Sequence, residues 1–313
     1  MKSATYPKYG PPNILQLSDL PIPQPNQKQV LVKVKSSAVN PVDWKIRAGK
    51  LRLLTGFNFP KQIGADYSGI VESSNLSYYQ PGDEVYGMGS PVTGGAHGQY
   101  LLVKEHQICA KPSNLNFNEA ASMPLAGLTA LQILKYKGAI QPGYQVLINA
   151  CTGGVGHFAV QYAKAKKAIV TGICSTAKIP IAHELGADHV IDYKKNNIYQ
   201  HLEKYDIVLD TIGNLSYSKL KNYLTADAVM IAFKPGVSEI MALLTNPFTS
   251  RKLKLFLTRS NHDDLLELKN LAENGDIRPR IARIFPLSKV AEAHQMSEEG
   301  HAAGKIVVQI EDN

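Results

Sequence analysis

The sequence predicts an α/β protein in two parts, a β-rich domain and a doubly wound parallel sheet. Three observations carry this expectation. The first third alternates apolar and polar residues between Gly/Pro turns, the middle alternates strand-like with helical runs, and a glycine-rich turn joins the first such pair. In chain order, the run Val30 to Val39 (VLVKVKSSAV) has the period of two expected of a half-buried strand. PIPQP at 21–25, PGDEVYGMG at 81–89 and TGGAHG at 93–98 punctuate the strands around it. From about Ala120 the texture changes. QVLINA, AIVTGI, HVIDY, DIVLDTIG and AVMIAF alternate with helical stretches such as GHFAVQYAKAKK. After Asn274 the pattern is mixed again and ends in the strand KIVVQI. The two chain ends are therefore expected to form one domain (1–120 and 266–313), with the α/β domain (121–265) inserted between them.

Composition bounds the function. The 313 residues are 44% hydrophobic and 19% charged, which excludes a disordered or fibrous chain. Lys plus Arg exceeds Asp plus Glu by 34 − 26, giving +8. That excess is too diffuse to require nucleic acid or an anionic membrane, and it suits a phosphorylated cofactor. Cys109, Cys151 and Cys174 have neither disulfide-framework nor zinc-ligand spacing. The start MKSATYPKYG lacks an apolar core, and no apolar run reaches about 18 residues, so a soluble, cytoplasmic protein is expected.

ACTGGVG at 150–156 lies between a strand and a helix and reads A-x-x-G-x-x-G, one residue longer than the dinucleotide fingerprint. Gly153 and Gly154 would let backbone approach a pyrophosphate, and Gly156 would let helix pack on strand. The helix N-terminus then offers N–H groups to the anion. Thr152, Gly153, Gly154, Val155 and Gly156 are thus expected cofactor contacts. An NAD site wants an acidic residue about 20 positions on. Counting 173 − 153 from Gly153 lands on Ile173, and no Asp or Glu lies between Gly156 and Glu184. Ser175, Lys178 and Tyr193 stand there instead, a set that suits the 2′-phosphate of NADPH. A solvated Lys178 and a packing Tyr193 are the plainer alternative. Cys151, inside the turn, is either a small packing residue or one whose oxidation would obstruct the cofactor.

At this point the chain resembles the zinc-independent quinone oxidoreductase branch of the medium-chain dehydrogenase/reductases, which includes zeta-crystallin-like and enone (alkenal) reductases. The matching stretches are SAVNPVDWKIRAG at 37–49, IGADYSGIV at 63–71, PGDEVYG at 81–87 and AASMPLAGLTALQ at 120–132. ACTGGVGHFAVQYAK at 150–164, LGADHVIDY at 185–193 and GHAAGKIVV at 300–308 complete them. The resemblance implies a GroES-like catalytic domain plus a Rossmann domain, and usually a homodimer. It also implies that Thr129, in PLAGLT, meets the nicotinamide. Residues 235–259 depart from the family pattern and are expected to shape the substrate pocket or the subunit contact.

Zinc-dependent relatives carry a Cys at the position of Asn40 and a His-Glu pair where this chain has Ala65 and Asp66, so no metal is expected. What remains is reduction of an already activated substrate, a quinone or an α,β-unsaturated carbonyl. The protein then has to position the partners and stabilise an oxyanion. In NPVDWK, Asn40 would donate its amide to the substrate oxygen or the cofactor, Lys45 would stabilise the oxyanion or anchor the cofactor, and Asp43 would orient either one. The bland alternative is an Asn-Pro turn with a solvated lysine. Trp44 and Tyr67 would line a pocket or pack in the core, and the loop Met88 to Tyr100 would form its rim. The rival class is a non-catalytic NADPH binder of zeta-crystallin type, acting on RNA or at a membrane surface. Its nearest motif is RKLKLFLTR at 251–259, whose charges interleave with leucines rather than with stacking aromatics.

Overall fold

A computed structural model of the chain describes residues 1–233, 252–254 and 256–310. The chain divides into two compact units: unit 1 is Met1–Leu128, Arg259–Gly275 and Pro279–Asn313, and unit 2 is Thr129–Thr258 and Asp276–Arg278. These crossings differ from the expected 120/121 and 265/266. The first falls inside the helix Pro124–Gln132. The second comes early because the whole helix His262–Glu273 stays with unit 1, where the Tyr86 hydroxyl donates to Leu265 O at 2.6 Å.

Unit 1 begins with β1 (Lys2–Tyr6), β2 (Gln16–Asp19) and the long β3 (Gln29–Val39). Helix α1 (Pro41–Arg47) follows at once. Asn40 is extended with φ −124°, Pro41 fixes the first helical residue, and the Asn40 N–H donates to Asp43 Oδ2 at 2.7 Å. Then come α2 (Arg52–Thr55), β4 (Lys61–Gln62), β5 (Asp66–Ser74), β6 (Glu84–Met88), β7 (Tyr100–Lys104), β8 (Ile108–Ala110), α3 (Phe117–Ala121) and α4 (Pro124–Gln132).

Unit 2 is a parallel sheet of β9 (Gln145–Asn149), β10 (Ile169–Cys174), β11 (His189–Asp192), β12 (Tyr205–Asp210), β13 (Leu224–Ala232) and β14 (Lys252–Lys254). Helices α5 (Gly156–Ala165), α6 (Ile179–Glu184) and α7 (Tyr217–Leu220) connect these strands. The order is β11-β10-β9-β12-β13-β14, with every pairing parallel. Numbered from its first strand this is 3-2-1-4-5-6, the doubly wound arrangement. Val146, Leu147 and Ile148 of β9 are fully buried, as a central parallel strand covered on both faces requires. The basic stretch around 251–259 supplies β14. Leu253 is buried in the sheet core, whereas Leu257 lies beyond the strand and is 80% exposed.

The chain returns to unit 1 with α8 (His262–Glu273), β15 (Ile281–Pro286), α9 (Val290–Glu299) and β16 (Lys305–Gln309). β16 lies antiparallel to β3, Ile306 opposite Val39, in the order β15-β16-β3-β5-β6-β8. Val32, Tyr67, Val85, Ile306 and Val308 meet in the core of this unit. The role expected for 235–259 lies outside the described residues except at 252–254 and 256–259. No helix among the described residues is long and apolar enough to cross a membrane.

Candidate functional site

The glycine turn sits where the strand order reverses, at the carboxyl end of β9 beside β12, the crevice in which doubly wound sheets bind their ligands. Ala150 turns the chain with φ 55°, a conformation that costs a non-glycine residue about 1–3 kcal/mol. The Cys151 N–H donates to Ile173 O at 3.2 Å, and the Gly153 N–H returns to Ala150 O at 2.9 Å. A Cβ on Gly156 would stand 2.1 Å from Ala150 O, so no side chain fits there. Thr152 is buried, whereas Gly153, Gly154 and Val155 are partly exposed. Helix α5 starts without a side-chain cap; Gly153 O takes the His157 N–H at 3.0 Å, and the other N–H groups at the helix start can meet an anion. A brace holds the strand ends: Asn149 Nδ2 donates to Asp210 Oδ1 at 2.8 Å, and Asp210 accepts from the N–H groups of Gly213 and Leu215 at 2.9 Å each.

Ser175, Lys178 and Tyr193 gather at this same carboxyl edge. Ser175 follows the last residue of β10, and its carbonyl accepts from the Lys178 N–H at 2.8 Å. The Tyr193 N–H donates to Cys174 O at 3.2 Å, and the ring is 47% exposed. One acid does stand nearby, at the end of β11. The Thr176 hydroxyl holds the Asp192 carboxyl below the usual range by donating to Oδ2 at 2.6 Å, and the Lys194 N–H binds Oδ1 at 2.9 Å. That carboxylate is engaged by its own strand ends. Thr129 is 2% exposed, and its Oγ1 lies 2.5 Å from Thr258 Oγ1.

In unit 1, Asn40 and Asp43 come together but face inward, each 1% exposed. Asn40 Nδ2 donates to Asp66 Oδ2 at 2.9 Å and to Ala38 O at 3.4 Å, while the Lys305 ammonium donates to Asn40 Oδ1. Both ends of the amide are thus spent inside the protein, which differs from the expected donation to a substrate oxygen. Lys305 Nζ also lies 3.5 Å from Asp66 Oδ2, and the Leu125 N–H donates to Asp66 Oδ1 at 2.8 Å. Burial pushes the Asp66 carboxyl up, against the pull of Lys305, Asn40 and the Leu125 N–H. Burial likewise pushes Asp43 up to about 7, opposed by the Asn40 N–H.

Lys45 is two residues past Asp43, so it projects from another side of α1. It is half-buried, with Nζ 5.7 Å from the Trp44 ring centre. Tyr67 is fully buried and donates to Gln107 O at 3.1 Å, which makes it core rather than pocket wall. The Met88–Tyr100 loop is tied down as well. Gly95 and His97 donate to Ile63 O at 3.1 Å each, and His97 Nδ1 lies 2.7 Å from Ser37 Oγ.

Comparison with known proteins places this geometry. Residues 26–113 match the alcohol dehydrogenase GroES-like domain, and 185–308 match the family described as zinc-binding dehydrogenase. The NADPH-dependent alkenal/one oxidoreductase of Arabidopsis thaliana, named as chloroplastic, is 35% identical over 98% of this chain and 79% of that protein. The chain belongs to the medium-chain dehydrogenase/reductase family. Among solved medium-chain dehydrogenase/reductases, the quinone oxidoreductase of Coxiella burnetii superposes with a TM-score of 0.91 at 31% identity, covering 99% of each chain. The Escherichia coli quinone oxidoreductase complexed with NADPH gives 0.87 at 25% identity, covering 99% of this chain and 100% of that one. One family description names zinc, and the residues here do not fit it. Two positions where zinc-dependent members carry ligands, Asn40 and Asp66, are bonded to each other and to an ammonium. No three His, Cys, Asp or Glu side chains converge among the described residues. Sequence reasoning overlooked Lys305, and it named Asp66 only as a lost ligand. The available signal was a lysine opening the apolar strand KIVVQ and an aspartate opening DYSGIV.

Proposed function

We propose that the chain is an NADPH-dependent reductase of quinones or α,β-unsaturated carbonyls. The observation that carries the reading is the glycine turn leading into an uncapped α5 at the order reversal of a 3-2-1-4-5-6 sheet, with Ser175, Lys178 and Tyr193 on the same edge. That donor set fits a dinucleotide diphosphate and its 2′-phosphate. When bound, NADPH supplies a hydride to the carbon conjugated with the substrate carbonyl. The N–H groups of Gly154 and Val155 hold the diphosphate, and Gly156 keeps the helix close enough for them to reach it. Lys178 and Ser175 read the 2′-phosphate, and Tyr193 covers it.

Charge that builds on the substrate oxygen calls for a cation or a donor. Lys45 is the partly open cation of α1 and takes that role. Asn40 and Asp43 act as positioning residues that fix the start of α1, with Lys305 and Asp66 holding Asn40. The product oxyanion takes its proton from solvent. A homodimer, implied by the family resemblance, and a cytoplasmic location complete the reading. Sedimentation and cell fractionation test them, a monomer or an organelle-bound pool overturning the respective part.

The experiment is NADPH oxidation followed at the nicotinamide absorbance against a quinone, a short alkenal and a cyclic enone, with NADH in parallel. Turnover of at least one substrate with a clear preference for NADPH is expected. Equal use of NADH would remove the 2′-phosphate assignment. Tight NADPH binding without turnover on the whole panel would remove the reductase reading.

A further inference from the structure

We propose that Cys151 and Cys174 form a reversible dithiol–disulfide pair that closes the NADPH site when oxidised. The proposal rests on the cofactor reading above and adds a modification site to it. Cys151 lies within the glycine turn, and Cys174 is the last residue of β10, directly before Ser175. Both are free, buried thiols, and the third cysteine, Cys109, belongs to β8 of unit 1.

The sheet places the pair. β9 and β10 are parallel neighbours with Asn149 opposite Ile173, and the Cys151 N–H continues that ladder by donating to Ile173 O at 3.2 Å. That register sets Cys151 one residue past the position facing Cys174. A strand spacing of about 4.8 Å with a rise of about 3.3 Å then puts the Cα atoms about 5.8 Å apart, inside the roughly 4.4–6.8 Å that a disulfide spans. Gly172 and Cys174 project on one face of β10, two residues apart. Cys151 Sγ occupies that face, because a Cβ built on Gly172 would stand 2.6 Å from it. The two thiols therefore lie on one face of the sheet, close enough for each to shift the other's ionisation.

Their environments make them unequal. The neighbouring Cys151 thiol holds the Cys174 thiol below its usual range, with Lys178 helping and burial and Asp192 opposing. The Cys174 thiol, together with burial, pushes Cys151 up. Cys174 is therefore the better nucleophile of the two. Toward hydrogen peroxide, its sulfur takes one peroxide oxygen as the O–O bond breaks, giving a sulfenic acid and, with one proton, water. The Cys151 sulfur then displaces the sulfenic oxygen, which leaves with the Cys151 proton as a second water. The two cysteines lose two electrons and peroxide gains two. Two sulfurs in non-bonded contact must close to about 2.05 Å, a movement of more than about 1 Å. The turn packs tightly around Cys151, where a side chain added at Gly156 would meet Cys151 Cα at 2.8 Å, so the movement is passed on along it. The N–H groups of Gly154 and Val155 are displaced with it.

The test oxidises the reduced full chain with hydrogen peroxide, then maps peptides without reduction and measures NADPH binding by nicotinamide fluorescence. The expected map has a Cys151–Cys174 cross-link lighter by two hydrogens and an unmodified Cys109. Loss of one charge-assisted contact weakens binding about tenfold or more, and dithiothreitol restores it. Cys174→Ala should keep its NADPH affinity through the same treatment. Two cysteines left free, one of them over-oxidised alone, or a cross-link with unchanged affinity would overturn the proposal. A reduced protein that does not bind NADPH would instead overturn the cofactor reading, and the peptide map would still decide whether the pair forms.

Discussion

Lys305 places a fully buried ammonium between an amide oxygen and a carboxylate, an arrangement best measured by removing one partner. Lys305→Met keeps the stem and deletes the charge, leaving Asp66 buried with the Asn40 amide and the Leu125 N–H as its remaining donors. Urea unfolding should record a loss of about 3–5 kcal/mol, and adding Asp66→Asn should return part of it. A single variant within about 0.5 kcal/mol of the parent would mean the ion pair is immaterial. Asp43 gives a pH signature. Its folded pKa is raised by burial to about 7, so the folded state holds the proton more tightly than the unfolded chain. The resulting stability is complete below about pH 4 and is lost as pH rises through about 7. Asp43→Asn cannot lose a proton, so its stability should fall less than the parent's between about pH 5 and about pH 8. Buried His97 and His294 act at the acid end. Burial holds both imidazoles down, so stability drains as pH falls below about 6.5, and comparison with the parent cancels their contribution. Parallel curves for variant and parent would refute the assignment. Asn40 and Asp43 were legible as a pair through the motif NPVDWK, although the sequence offered a turn there rather than the helix start they form. Lys305 and Asp66 were not, since each is a lone charge in an apolar strand and 239 residues separate them.

At the scale of elements, the alternation of strand and helix was readable through unit 2 because each strand is a short apolar run and each helix keeps its own period. The bonds among strand ends were not readable. Nothing local in DIVLDTIG says that Asp210 braces Asn149 across two neighbouring strands, or that Thr176 reaches Asp192. The glycine turn is the element most open to test. Gly156→Ala would place a methyl carbon 2.1 Å from a backbone oxygen, which cannot swing aside as a side chain would. The turn should open, with a stability loss of about 1–3 kcal/mol by urea unfolding and a matching fall in NADPH affinity. A variant that binds NADPH as tightly as the parent would show that α5 need not sit close to β9. Lys178→Ala tests the neighbouring edge. It should raise KM for NADPH about tenfold and leave that for NADH unchanged, because only one of the two carries the 2′-phosphate. An equal rise for both would make Lys178 a general contact rather than a selective one.

For the whole molecule, the connectivity sets an order of events. Unit 1 closes only when β16 pairs with β3, and Ile306 lies 306 − 39 residues beyond its partner Val39. Unit 2 makes its central pairing of Ile207 with Val146 across 207 − 146 residues. For flexible loops of 267 and 61 residues, closure entropy favours the shorter by about 1.3 kcal/mol, near tenfold in rate if nothing else differs. The fold also shortens the longer loop. The residues that open and close the main segment of unit 2, Thr129 and Thr258, are bonded through their hydroxyls at 2.5 Å. Once unit 2 is folded, the segments of unit 1 that flank its main stretch leave that stretch from one point, and most of the 267-residue loop no longer has to be ordered. Unit 2 should therefore form first and speed the closure of β16. Pulse-labelled hydrogen exchange during refolding should find 145–149, 169–174 and 205–210 protected before 305–309. Gly156→Ala, a substitution within unit 2, should delay protection at 305–309 as well. Protection of 305–309 ahead of the parallel strands, or its indifference to Gly156→Ala, would mean that the chain ends find each other without help from the inserted unit.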